Sequence, residues 1–149
     1  MEIDHQAPLV DRKEIFINAS PKVVWKLQSD INAWNNWQPR ITMSKLEGPL
    51  AVGSIFHWKV GGLPITSTLR VVQPNKRIGW TGVALGTRAR HIYTFQSKKN
   101  GTLVIAEESL DGWLARLMKV AMPKFLDESM DFSLKTLKVA AEGTSKKKI

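Results

Sequence analysis

The sequence contains no cysteine, which excludes a disulfide framework, a thiolate nucleophile and a cysteine metal site, and fits a reducing compartment. No stretch approaches the roughly 20 apolar residues that a membrane-spanning helix requires. The opening MEIDHQAPLVDRKE has acidic residues early and no sustained apolar run, so it does not read as a signal peptide, and the expected compartment is the cytoplasm. Gly-x-Ser-x-Gly, phosphate-loop and dinucleotide fingerprints are all missing. The three histidines, His5, His57 and His91, include no short-spaced ligand pair, so neither a metal nor another cofactor is expected.

Acidic residues are also few, 13 against 22 Lys and Arg, giving a formal charge of +9. Such an excess raises nucleic acid or an anionic membrane surface as partners. The basic residues are scattered, however, and only Lys146-Lys147-Lys148 forms a run, which reads as a solvated tail. No specific nucleic-acid partner is expected. Weak contact with an anionic surface through the basic residues stays open, and a basic adaptor associated with membrane or nucleic acid is kept as one reading. Nothing in the sequence sets an oligomeric state.

A chain of 149 residues suits one domain with a core of its own. Residues 1–10 read as a loose leader, 11–142 as the domain and 143–149 as a basic tail. A first strand is expected at 14–18. Ser20 as N-cap and Pro21 as first helical residue start a helix over 21–30. A short helical turn follows at 32–37, with Trp34 and Trp37 packing the small helices on the sheet edge or Trp34 gating a cavity. From Ile41 the period changes to two, predicting strands at 41–46, 53–60, 65–73, 77–83, 87–96 and 102–109. Asn100-Gly101 marks the clearest hairpin turn. Residues 111–141 then carry Leu114, Leu117, Met118, Ala121, Phe125, Leu126, Met130, Leu134 and Leu137 at mostly three- and four-residue spacings, the pattern of one long helix with one buried face. Pro123 inside it is expected to bend the helix along the curve of the sheet. An antiparallel sheet with a helix laid across it is an α+β arrangement that can enclose a cavity.

Strand parity places Phe56, Trp58, Trp80, His91, Tyr93, Phe95, Val104 and Glu108 on the inward face, and His57 on the outward one. Six tryptophans must be buried or line something. With Ser67, this inward set has the composition of a small-molecule pocket, flat apolar walls with a few polar tips, and Met118, Met122, Phe125 and Met130 supply the helix side. His91, Glu108 and Tyr93 admit two readings. They form a polar group in a cavity wall that orients a ligand, or His91 is a general base whose tautomer Glu108 fixes. Asp127, Glu128 and Asp131 read as a solvated helix face.

Ala19-Ser20-Pro21 with Val24-Trp25, Asp30, Trp34 and Trp37-Gln38-Pro39 resembles the opening of the polyketide cyclase/dehydrase-like branch of the START/Bet v 1 (SRPBCC) superfamily. So do Phe56-His57-Trp58, residues 65–69, Ile78-Gly79-Trp80-Thr81-Gly82, Ala89-Arg90-His91 with Tyr93 and Phe95, and Gly101-Thr102 leading to Glu107-Glu108-Ser109 and Gly112-Trp113. The resemblance spans residues 12–141. It implies the helix-grip fold, a seven-stranded antiparallel sheet wrapped around a long C-terminal helix, with two short helices after the first strand. It also implies a cavity between sheet and helix for lipids, sterols, polyketides or other apolar molecules. The expected function is binding of a small hydrophobic or amphipathic molecule, more a ligand-binding protein than an enzyme. A polyketide cyclase or dehydratase using His91 as general base is the alternative.

Overall fold

Alternating apolar and polar residues from Leu9 onward build seven strands, and the computed structural model describes residues 1–147 of the chain. The strands are β1 (Leu9–Ile17), β2 (Ile41–Leu46), β3 (Ile55–Val60), β4 (Leu63–Gln73), β5 (Arg77–Ala84), β6 (Thr87–Lys98) and β7 (Gly101–Asp111). They form one antiparallel sheet in the order β1-β7-β6-β5-β4-β3-β2. Register shifts between Ile41 and Met43 and between Leu69 and Val71 interrupt the ladder, and such irregularities bend strands and increase their twist. At the β6–β7 turn Asn100 takes φ 69°, the left-handed conformation that asparagine tolerates.

Between β1 and β2 lie helix α1 (Pro21–Ser29) and a 3-10 helix over Ile31–Asn36. Ser20 caps α1, its Oγ accepting from the Val23 amide at 3.3 Å. Trp34 does not gate the cavity: it is 1% exposed. Its ring sits 5.3–5.5 Å from those of Trp58, Trp80 and Phe56, and its indole donates to the Gln28 carbonyl at 3.0 Å. Trp34 is therefore core that pins the small helices to the sheet.

The carboxyl-terminal third departs from the expected single bent helix. Two helices form, α2 (Trp113–Ala121) and α3 (Phe125–Lys147), separated at Met122, Pro123 and Lys124. Pro123 has no amide hydrogen to give to the Lys119 carbonyl, and its ring opposes the preceding turn. The break also divides the apolar stripe. Leu126, Met130, Leu134, Leu137 and Ala141 of α3 are buried, whereas Leu117 and Ala121 of α2 are exposed. Gly112 precedes α2 with φ 107°, and a Cβ there would collide with the Gly86 carbonyl oxygen.

Residues 1–10 are not a loose leader. Ile3 is buried, the Asp4 amide donates to Ser109 Oγ at 3.0 Å, and Leu9 and Val10 already belong to β1. At the other end α3 runs through Gly143 to Lys147, so helix continues into the stretch expected as a tail. The expectation for the Lys146-Lys147-Lys148 side chains lies outside the described residues. No helix among the described residues is long and apolar enough to cross a membrane.

Candidate functional site

Sheet register decides where side-chain bulk falls. Ser67 pairs with Gly82, Gly82 with Ala89 and Ala89 with Leu110, while Ala84 pairs with Thr87. In the adjacent cross-strand row Leu69 pairs with Trp80, Trp80 with His91 and His91 with Glu108. Large rings thus fill one end of the space under the helices, and small side chains leave the other end empty. The result is a cavity of about 430 Å³ between the sheet, α2 and α3, within the usual range for small-molecule sites. A Cβ at Gly82 would lie 2.8 Å from Ser67 Oγ and would displace that hydroxyl.

Of the residues singled out in the sequence, Trp58, Ser67, Trp80, His91, Glu108, Met118 and Phe125 line this cavity. Phe56 and Tyr93 are buried behind the lining. Met122 and Met130, expected on the helix side, are not among the lining residues: Met122 follows the last turn of α2 and is 51% exposed, and Met130 is buried in the core. Gly82, Ala84 and Ala89 also line the cavity, and their small size at inward positions is the sequence signal that marks them. From α3 come Ser129, Phe132, Ser133 and Thr136, a stripe that helical periodicity does not single out because it stands beside the more apolar one that fills the core. Arg40, Leu63, Leu85 and Phe125 both line the cavity and are exposed, which places its mouth among them. Arg40 stacks over the Phe132 ring at 3.7 Å, tying the approach to β2 to α3.

The polar groups of the wall are few. His91 and Glu108 are directly paired across β6 and β7, with His91 Nδ1 3.0 Å from Glu108 Oε1. A carboxylate at Nδ1 holds the proton on that nitrogen and leaves Nε2 as the acceptor of a neutral imidazole. His91 Nε2 is buried and has no hydrogen-bond partner among the described residues. Ser67 Oγ accepts from Trp58 Nε1 at 3.1 Å, so its own hydroxyl hydrogen is free to serve a ligand. His57, by contrast, is on the outer face beside Glu47 and Thr66. Asp127 and Asp131 meet Lys13 and Lys135 in exposed ion pairs.

Tyr93 supports the wall from behind. Its ring stacks on His91 at 4.6 Å and on Phe95 at 6.5 Å. Burial, with the nearby Glu108 carboxylate, pushes its phenol well above the ordinary tyrosine range. Below pH about 10 the phenol is neutral in both folded and unfolded chains and the contribution to stability is complete. Above it the unfolded chain loses the proton first, so stability falls as pH rises toward the folded value. Tyr93 is the sole tyrosine, so its phenolate absorbance reads this directly: the native protein is expected to stay silent at pH 11 and to absorb on unfolding. A reversible native transition near pH 10 would contradict the buried neutral phenol.

A family model described as polyketide cyclase / dehydrase and lipid transport matches residues 12–142. No curated protein matches the chain by sequence. Among solved structures, a hypothetical protein from Helicobacter pylori is similar with TM-score 0.82 and 14% identity, over 93% of this chain and 91% of that one. A START superfamily protein from Mycobacterium smegmatis is similar with TM-score 0.73 and 16% identity, over 91% and 98%. The di-domain ARO/CYC protein BexL from the BE-7585A biosynthetic pathway is similar with TM-score 0.69 and 16% identity, over 91% of this chain and 49% of that one. At these identities the likeness establishes the helix-grip fold.

Proposed function

Because the chain belongs to the polyketide cyclase/dehydrase and lipid transport family, we propose that it binds a small hydrophobic or amphipathic molecule, lipid- or polyketide-like, in the cavity between the sheet and α2 and α3. A cytoplasmic location is part of this reading. The observation that carries it is a largely apolar cavity whose wall holds a buried histidine nitrogen without a partner. Burying roughly 300 Å² of apolar ligand surface contributes about 7.5 kcal/mol at 25 cal/mol per Å². Association costs at least about 4 kcal/mol of this, so the few polar groups weigh heavily in ligand choice. A ligand hydroxyl donating to His91 Nε2 relieves a buried acceptor that otherwise stays unpaired. Ser67 donates to a second ligand oxygen.

The test is a comparison of naphthol with naphthalene as probes by titration calorimetry. Wild-type protein is expected to prefer naphthol by about tenfold, the worth of one hydrogen bond. His91→Phe is expected to erase the preference while naphthalene binding persists. His91→Phe/Glu108→Leu removes the carboxylate that the single variant leaves alone and serves as the folding control. Equal affinities for the two probes in wild type and both variants would remove His91 from ligand recognition.

The His91–Glu108 pair specifically favours one second reading, a cyclase or dehydratase in which Nε2 takes a proton from a carbon beside a ketone and Glu108 positions the ring. Turnover separates the two. Incubation with a short polyketide analogue gives, if this reading holds, a product of changed chromatographic retention that His91→Phe abolishes, isobaric where only a carbon–carbon bond closes the ring and lighter by one water where dehydration follows, and the unaltered analogue if the protein is a carrier.

A further inference from the structure

The outer face of α2 is apolar. Trp113, Leu117 and Val120 are 63%, 58% and 82% exposed and are spaced i, i+4 and i+7, which puts them on one stripe. The opposite face is apolar too: Ala115 is buried, and Leu114 and Met118 line the cavity. A helix apolar on both faces calls for a second apolar surrounding beyond its own domain. The patch continues onto Leu85, 69% exposed in the β5–β6 turn, whose neighbour Gly86 lies close against the Trp113 ring.

Charge identifies the surrounding. Residues 112–126 contain Arg116, Lys119 and Lys124 and no acidic residue, and all three are exposed beside the apolar stripe. None forms a salt bridge with a described residue. We propose that the outer face of α2 docks on an anionic lipid bilayer. Trp113, Leu117, Val120 and Leu85 enter the boundary between headgroups and acyl chains, and Arg116, Lys119 and Lys124 meet the lipid phosphates. A second copy fits this face poorly, since two such faces bring three like charges each into contact in chains of formal charge +9. Docked in this way, the helix that walls the cavity on one side touches the membrane on the other. The mouth beside Leu85 and Phe125 then opens where apolar molecules are stored. This last step rests on the cavity reading, whereas the docking itself does not.

Co-sedimentation of the full chain with vesicles tests it, using phosphatidylcholine alone and a two-to-one mixture of phosphatidylcholine with phosphatidylglycerol. Wild type is expected to bind the anionic vesicles. Trp113→Ser/Leu117→Ser/Val120→Ser is expected to lower partitioning by at least about tenfold. Arg116→Gln/Lys119→Gln/Lys124→Gln is expected to erase the difference between the two vesicle types. All six side chains are exposed, so unchanged circular dichroism and thermal midpoint are expected to accompany both losses. Wild type that stays in the supernatant, or a serine variant that sediments as well as wild type, overturns the proposal. A wild-type dimer that the serine variant dissolves into monomers also overturns it, by giving the face to a second copy. Failure of the cavity reading shows separately, as naphthol binding that is absent while vesicle binding persists.

Discussion

The variant Ala89→Trp is expected to fold and to bind the fluorescent probe anilinonaphthalene sulfonate at least about a hundredfold more weakly than wild type, because steric exclusion removes the apolar enclosure that supplies affinity. Ala89 sits at the centre of the small-residue row, paired with Gly82 on one side and Leu110 on the other, and it lines the cavity of about 430 Å³. An indole placed there enters empty space instead of packed core, so the usual penalty of overpacking is largely avoided. Ser133→Trp, entering from α3 on the opposite wall, is expected to give the same loss by an independent route. Fluorescence titration reads the affinity, and circular dichroism with a thermal scan reads the fold. Two folded variants that bind the probe as wild type does would place probe binding elsewhere, with the exposed face of α2 as the first surface to examine.

Trp34→Ala is expected to cost about 3–5 kcal/mol of stability, the usual consequence of deleting a buried tryptophan. Three aromatic rings surround Trp34 within 5.5 Å, and its indole hydrogen bond satisfies the Gln28 carbonyl near the end of α1. Truncation therefore opens a void against Phe56, Trp58 and Trp80 and strands a carbonyl at once. For a protein of this size the loss lowers the thermal midpoint by about 10 °C or more. Trp34→Phe loses the donor and part of the ring contact but leaves a smaller void than alanine, so its cost is expected to be clearly smaller. Urea denaturation monitored by circular dichroism checks both values. Equal and small effects of the two substitutions would show that the small helices hold to the sheet by other contacts.

Much of the site was legible from period-two alternation. Parity alone put Trp58, Trp80, His91 and Glu108 on one face and His57 on the other, because each strand residue alternates sides and neighbouring strands share a core. The same reasoning did not separate lining from filler. Phe56 and Tyr93 satisfy the same pattern as Trp58 and His91, yet they lie behind the wall. The distinction depends on which cross-strand row a residue occupies, and register is a property of paired strands. The small inward residues Gly82, Ala84 and Ala89 were overlooked for a related reason: reading for chemistry favours large and polar side chains, while a cavity is made where side chains are small.

Strand and helix order, the cap at Ser20-Pro21, the inward face of the sheet and a disturbance of the helix at Pro123 are all readable from the chain alone, since each depends on local sterics and on a periodicity that a short segment already contains. Tertiary structure decided what those signals amounted to. It turned the disturbance into two helices, because α3 follows the core while α2, fixed at Gly112 against Gly86, covers the cavity with its other apolar face in solvent. It tied residues 1–10 to β7 through the Asp4–Ser109 contact and the Leu9–Leu110 pairing. It also brought His91 and Glu108 to 3.0 Å beside a space that small residues leave open. These outcomes depend on contacts between segments far apart in the chain, whose energies no local pattern records.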